Sequence, residues 1–218
     1  MKRGPLLAAV AYLMWGVLPI YWHALAGVPA LEILLHRIVW SLVVVLALLA
    51  LRKEWQWLAD GLRHPAVFRV FFVTAALLAV NWLVYLWANN NGHIVETSLG
   101  YFITPLVSVV LGLLVLHERM RPGQWLSVGI AALGVLFLVL TAGGTLWISL
   151  LLALSFGFYG LLRKTARLGS LEGLTAEMAI LFLPALAYLL YLSSSGQAAF
   201  GAGDASITVS YTHLDRAA

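Results

Sequence analysis

Apolar residues run along the chain in seven long windows separated by short polar interruptions, at roughly residues 4–22, 31–51, 67–87, 97–116, 125–140, 146–162 and 174–192. A bilayer core about 30 Å thick is crossed by about 20 mostly apolar helical residues, and the windows meet or approach that length, the fifth and sixth being short. In hydrocarbon a lone segment satisfies its own backbone hydrogen bonds only as a helix. The pattern therefore predicts an all-α, polytopic helical membrane protein with about seven transmembrane helices.

Two of the windows carry polar side chains at helical spacing. Thr74, Asn81, Tyr85 and Asn89 recur along the third, and Thr97, Tyr101, Thr104, Ser108 and Gly112 along the fourth. An amide without a partner in an apolar medium costs roughly 2–7 kcal/mol, so each stripe must face protein or water. For the fourth window two readings stay open. The stripe lines a cavity, or its small residues let two helices approach closely while the hydroxyls bond to the preceding turn. Pro105 frees the carbonyl of Tyr101 and predicts a kink or break in the helix beside the stripe. The segment between these windows, WANNNGHIVETSLGYFITP, is predicted to hold the outer loop.

The second window has a different anomaly. Ile38–Leu51 is a stretch of only 14 residues, about 21 Å at about 1.5 Å per residue. His36 and Arg37 are therefore drawn into the membrane to complete the crossing, with Glu32 one turn earlier. Arg37 either snorkels to the outer surface or lines an outward-facing vestibule, where it attracts anionic or zwitterionic solutes or pairs with Glu32 or Glu96. The tryptophans lie mostly near window ends, as an interfacial belt requires. Trp15 is the exception, mid-window on a face shared with Tyr12 and Pro19, where it packs or stacks on a ligand.

Composition agrees with the membrane reading: 62% of residues are hydrophobic and 10% charged, and the mean hydropathy is +0.95. The net charge of +4 comes from basic residues scattered in twos and threes between windows. No stripe or motif suits nucleic acid, and none is expected as a partner. Lys2, Arg3, Arg52, Lys53, Arg63, Arg69, Arg119, Arg121, Arg163, Lys164 and Arg167 fall on one side of the membrane, while the loops around 23–30, 88–96 and 141–145 hold no lysine or arginine. This asymmetry predicts a cytoplasmic N-terminus. Ala24-Leu25-Ala26 resembles a cleavage site, but the first run is longer than a signal-peptide core and contains Trp15, Pro19, Tyr21 and Trp22, so it is kept as a helix. With no cysteine there is neither disulfide nor thiolate chemistry. Motifs of the type HExxH, HxxEH, GxSxG or a phosphate loop are absent, and His93-x-x-Glu96 alone is too common a spacing to argue a metal site. No catalytic residue, metal or cofactor is assigned.

The chain also repeats itself. AYLMWGVLPIYW at 11–22 lies over LALSFGFYGLLR at 152–163 with Trp15-Gly16 on Phe156-Gly157, and a similar offset brings Leu31-Glu32 onto Leu171-Glu172. Five crossings between the copies place the second upside down, the signature of an inverted-repeat transporter. The expected organisation is a first five-helix repeat over 1–145, the start of a second inverted repeat over 146–192, and a polar tail over 193–218. The closing SYTHLDRAA looks like translated vector or adapter sequence, and the tail is expected to be non-native.

Three segments carry a resemblance. VPALEILLHRIVWSL (28–42), NWLVYLWANNNGHIVETSLGYFITPLVSVVLG (81–112) and ALSFGFYGLLRK (153–164) resemble the RarD branch of the EamA family, within the drug/metabolite transporter superfamily. The resemblance covers about residues 4–192. It implies a ten-helix inner-membrane permease of two inverted five-helix halves that moves small organic metabolites or drugs, in a branch whose name is tied to chloramphenicol sensitivity. Asn81, Tyr85, Asn90, Gly92, His93, Glu96, Ser98, Gly100, Tyr101 and Pro105 fit the family's pattern, whereas Thr104 and Ser108 stand where asparagines are expected.

The expected cavity is bounded by the first, second, third, fourth and sixth crossings. Arg37, His36, Asn81, Tyr85, Tyr101 and Trp15 are its candidate solute contacts. Pro105, Gly16, Gly100, Ser108 and Gly112 are candidate structural or hinge positions. Expected partners are a small-molecule solute, membrane lipid and a second copy in a homodimer. The competing reading is a non-transporting membrane assembly protein held to its partners by Ser/Gly/Ala ridges, or an inactive transporter fragment.

Overall fold

Six long helices form the bundle in the computed structural model, which describes residues 27–53, 65–142, 145–166 and 168–199, with isolated positions at 6, 9, 10, 13, 14, 16, 17, 25 and 55. Most of the first expected crossing, Trp15 included, and the tail from residue 200 lie outside the described residues. The helices are α1 (Ala30–Arg52), α2 (Pro65–Asn90), α3 (Ile94–Leu114), α4 (Pro122–Ala142), α5 (Leu146–Thr165) and α6 (Ser170–Ser194). Each is long and apolar enough to cross a membrane, which makes the chain a multi-pass membrane protein.

The ends follow from local chemistry. Pro65 and Pro122 are the first residues of α2 and α4, a position where the missing N–H is no loss and the fixed φ suits a helix. At the end of α2, Gly92 adopts φ +80°, which a side chain would resist. His93 N then donates to Ala88 O at 2.8 Å and Gly92 N to Asn89 O at 3.4 Å, the paired bonds of a Schellman turn. The three asparagines act on this end: Asn89 and Asn91 donate to Tyr85 O (2.7 Å) and Trp87 O (2.8 Å), and Asn90 donates to Val28 O at 3.2 Å.

Contacts between loops place successive helix ends on two sides. On one side, Asn90 reaches the chain entering α1, Ser149 Oγ of α5 donates to Glu96 O of α3 at 2.7 Å, and Thr145 N donates to Glu96 Oε1 at 3.3 Å. On the other, Lys164 at the end of α5 pairs with Glu118 after α3. Within the bundle α2 packs against α1, α3, α5 and α6, and the most extensive contacts are α3 with α5 and α1 with α6. Ile33, Leu34, Ile38, Leu42 and Val45 of α1 form the main core with Leu78 and Leu86 of α2 and Met178 and Ala185 of α6. Helix α4 packs chiefly on α3, and none of its residues 122–141 is buried, which suits an apolar helix whose solvent is lipid.

Differences from the expected windows have simple causes. α4 and α5 extend to Pro122 and Thr165 because intrahelical hydrogen bonds continue through the interface, where apolar side chains are not required. α1 begins at Ala30 and carries Glu32, His36 and Arg37 within its helix. At Pro105 α3 continues as one helix, from Ile94 to Leu114. Beyond Ser194 the chain folds back, and Ala199 N donates to Glu32 Oε2 at 3.0 Å.

Glycines set the α3–α5 seam. A Cβ at Gly157 would stand 2.6 Å from Val107 Cγ1, and one at Gly100 would stand 3.1 Å from Leu152 Cβ. Gly157→Ala is expected to destabilise the bundle by ~1–3 kcal/mol through overpacking. Gly160→Ala, with nothing within 4 Å of the added carbon, should be neutral or mildly stabilising. Thermal unfolding of both variants in detergent measures the contrast.

Candidate functional site

Four helices present side chains to one cleft. α1 brings Arg37. α2 brings Asn81, Trp82 and Tyr85, which share a face because residues three and four apart lie one turn apart on a helix. α3 brings Thr97, Gly100, Tyr101 and Thr104 by the same spacing, and α5 closes the cleft with Leu152 and Phe156. The free volume is about 80 Å³, several times what one ordered water needs.

The polar atoms in the cleft are held in place. Arg37 Cζ stands 3.8 Å above the Trp82 ring, a cation–π contact that strengthens as water is excluded. Asn81 Nδ2 donates to Leu152 O at 3.0 Å and to Ser155 Oγ at 2.9 Å. Both amide hydrogens thus bridge α2 to α5. Tyr85 and Tyr101 meet edge to face, centroids 6.0 Å apart at 72°. Thr97 and Thr104 return their hydroxyls to Ile94 O and Gly100 O, each at 2.8 Å. Taken together, the cleft is lined by an arginine, an asparagine and aromatic side chains, a set suited to a small amphipathic solute with an anionic or acceptor group.

Arg37, Asn81, Tyr85 and Tyr101, expected together from sequence, lie together here, with Tyr101 half-exposed at 51%. His36, the next residue on α1, is half-buried but does not line the cleft. Trp15 lies outside the described residues. Gly100 lines the cleft and sits in the α3–α5 seam. Pro105 and Ser108 are exposed, and Ser108 Oγ turns back to Thr104 O at 2.9 Å. Gly112 is buried, and a Cβ there would press on the Glu118 carboxylate at 2.8 Å. No described atom lies within 4 Å of a Cβ built at Gly16.

The proposed pairing of Arg37 with Glu96 does not form. Glu96 Oε1 is held at the α2–α3 turn by His93 Nδ1 (3.2 Å) and Thr145 N (3.3 Å). The third-window stripe also splits. Asn81 and Tyr85 face the cleft, whereas Thr74 is fully buried and donates to Phe71 O at 3.2 Å. Trp82 lines the cleft rather than only the interfacial belt, and Phe156 and Ser155 are contacts that the expected set lacks. Trp82 directly follows Asn81, and Phe156 aligns with Trp15 in the internal repeat, so both signals were present. Among the described residues no group of three His, Asp or Glu converges to hold a metal ion.

Residues 2–140 match the EamA-like transporter family. The chain is 50% identical over 202 residues to Protein RarD of Streptomyces exfoliatus, covering 92% of this chain and 64% of that protein. It is 40% identical to Protein RarD of Escherichia coli (strain K12), covering 95% and 70%. It is 34% identical to Chloramphenicol-sensitive protein RarD of Pseudomonas aeruginosa, covering 90% and 67%. The chain therefore spans under two thirds of the length of the first of these relatives. No solved structure matches it.

Because Asn81 ties α2 to α5 partly through Ser155, the two side chains should be energetically coupled. Asn81→Ala is expected to destabilise the bundle by ~1–3 kcal/mol. Adding Ser155→Ala should cost less in that background than in the parent, by ~0.5 kcal/mol or more. A double-mutant cycle of unfolding in mixed micelles measures the difference, and strict additivity would show that the bond carries no stability.

Proposed function

Because the chain belongs to the EamA-like transporter family, we propose that it is the larger part of a multi-pass permease of the bacterial inner membrane, a secondary transporter of small organic metabolites or drugs. The observation that carries this reading is the convergence of Arg37, Asn81, Tyr85 and Tyr101 from three separate helices on one cleft. A guanidinium and an amide inside a bundle of apolar helices are costly to bury, and ionisable groups at such positions characteristically mark solute paths. Alternating access is proposed to come from inverted halves rocking about this cleft. The internal repeat supports that reading, and so does Phe156, the repeat counterpart of Trp15, which lines the cleft.

The chemistry of the lining favours solutes with a flat, apolar body and an acceptor or anionic group. The body is taken by Trp82, Tyr85, Tyr101 and Phe156, and the acceptor by Arg37. The name of the Pseudomonas aeruginosa relative makes chloramphenicol a suitable probe solute. The basic residues between crossings support a cytoplasmic N-terminus. The long apolar surfaces of all six helices support lipid as the surrounding partner.

In liposomes carrying the full chain, exchange of labelled chloramphenicol should be measurable. Arg37→Ala should lower its rate about tenfold, equivalent to the loss of ~1.4 kcal/mol of interaction, with the amount of inserted protein unchanged. Asn81→Ala should act in the same direction. Exchange that proceeds at the parent rate in both variants would place the solute path elsewhere.

A further inference from the structure

A second polar centre lies between α2, α5 and α6, and the cleft does not use it. Glu177, about two turns into α6, has no exposed surface. Tyr159 Oη of α5 donates to its Oε2 at 3.2 Å, and Arg163 Nε of α5 stands 3.8 Å from its Oε1. From α2 the buried Thr74 faces the carboxylate. Arg163 and Tyr159 are the titratable groups among its described partners.

The arginine is gripped more firmly than the glutamate. Arg163 Nη2 donates to Gly169 O (3.0 Å) and Ser170 O (3.2 Å), and Cζ lies 5.3 Å from the Phe71 centroid. Its guanidinium rests on the bare backbone of Gly173, where a Cβ would overlap it. Two atoms stay unmatched, both buried and without a hydrogen-bond partner: Arg163 Nη1 and Glu177 Oε1. A buried carboxylate and guanidinium repay their desolvation only when close and fully hydrogen-bonded. A 3.8 Å approach with one orphan on each side is an incomplete bridge, poised between an ionised pair and a neutral acid beside a cation that carbonyls already hold.

The centre also has a physical route to the cleft. Tyr159 packs on Phe156, ring centroids 5.6 Å apart, and Phe156 lines the cleft.

We propose that Glu177 is a proton-binding site, and that its protonation loosens the Arg163 contact and is passed through Tyr159 and Phe156 to the solute cleft. The coupling role rests on the permease reading above. In the binding step a hydronium ion gives its proton to Oε1, an O–H bond forms and water departs. The carboxylate charge is neutralised, while Arg163 keeps the carbonyls of Gly169 and Ser170 as partners. Deprotonation reverses each change. Oε1 is the receiving atom because Oε2 already accepts from Tyr159.

Infrared difference spectra of the reconstituted chain, titrated with acid, test the site directly. The carbonyl stretch of protonated carboxyls should grow in the parent, and the component due to Glu177 should be missing from E177Q, which separates it from the other carboxyls of the chain, with melting of E177Q confirming that it folds. In G173A, where the added methyl displaces the guanidinium, the band should reach half-height at about tenfold lower proton concentration, since the cation that favours the ionised form has been moved away. A carboxyl band of equal area in E177Q and the parent, or a Glu177 component unmoved in G173A, would overturn the assignment.

Liposomes loaded with pyranine test the coupling. The parent should move protons as chloramphenicol exchanges, and E177Q should exchange chloramphenicol with no proton signal. Proton movement that survives in E177Q would overturn the coupling role. Failure of the parent to exchange chloramphenicol would count against the permease reading instead, leaving the infrared titration to decide the proton site on its own.

Discussion

Hydrocarbon supplies no hydrogen-bond partner, so each polar group inside this bundle has to be satisfied by its own helix or by a neighbouring one. The described helices meet that demand at two levels and only in part at a third, where Arg163 Nη1 and Glu177 Oε1 keep no hydrogen-bond partner. At one end, Glu96 gathers His93, Thr145 and Ser149, and Asn90 reaches Val28. In the middle, Asn81 bridges α2 to α5. Toward the other end, Tyr159 and Arg163 reach from α5 to Glu177 on α6. Lipid-facing surfaces carry apolar side chains almost throughout, because nothing on that side can repay a buried amide or charge.

Between these levels the helices approach through small residues. Gly100 and Gly157 let α3 and α5 approach closely. The hydroxyls of Thr104 and Ser108 turn back onto their own helix. For the fourth window this joins both readings of its stripe, since Thr104 lines the cleft while Ser108 serves only its helix.

α5 has the central mechanical position. It carries Leu152 and Ser155 to Asn81, Phe156 to the cleft and Tyr159 and Arg163 to Glu177 within three turns of one helix. A rigid helix transmits a displacement at one of these points to the others, so the polar middle and the polar end are mechanically joined through α5. Glu177 itself was legible as an acid within an apolar window. In sequence Arg163 is one of the basic residues between crossings, and its reach back into the bundle depends on Gly173, on a different helix.

Hydropathy period and length determined the helical, membrane-spanning class and the approximate bounds of α1 to α6, because the thickness of hydrocarbon sets how many apolar residues a crossing needs. Helical spacing likewise determined that Asn81 and Tyr85 share a face, as do Tyr101 and Thr104. Tertiary structure decided which faces meet. Trp82 turned from the interfacial belt to Arg37, Glu96 toward Thr145 rather than Arg37, and Thr74 toward Glu177 rather than Asn81. Spacing along one helix fixes the angle between side chains but not the helix on which that angle lands. Partnership in the membrane is set by how the described helices pack, through glycines whose effect appears only when the opposing surface is in place.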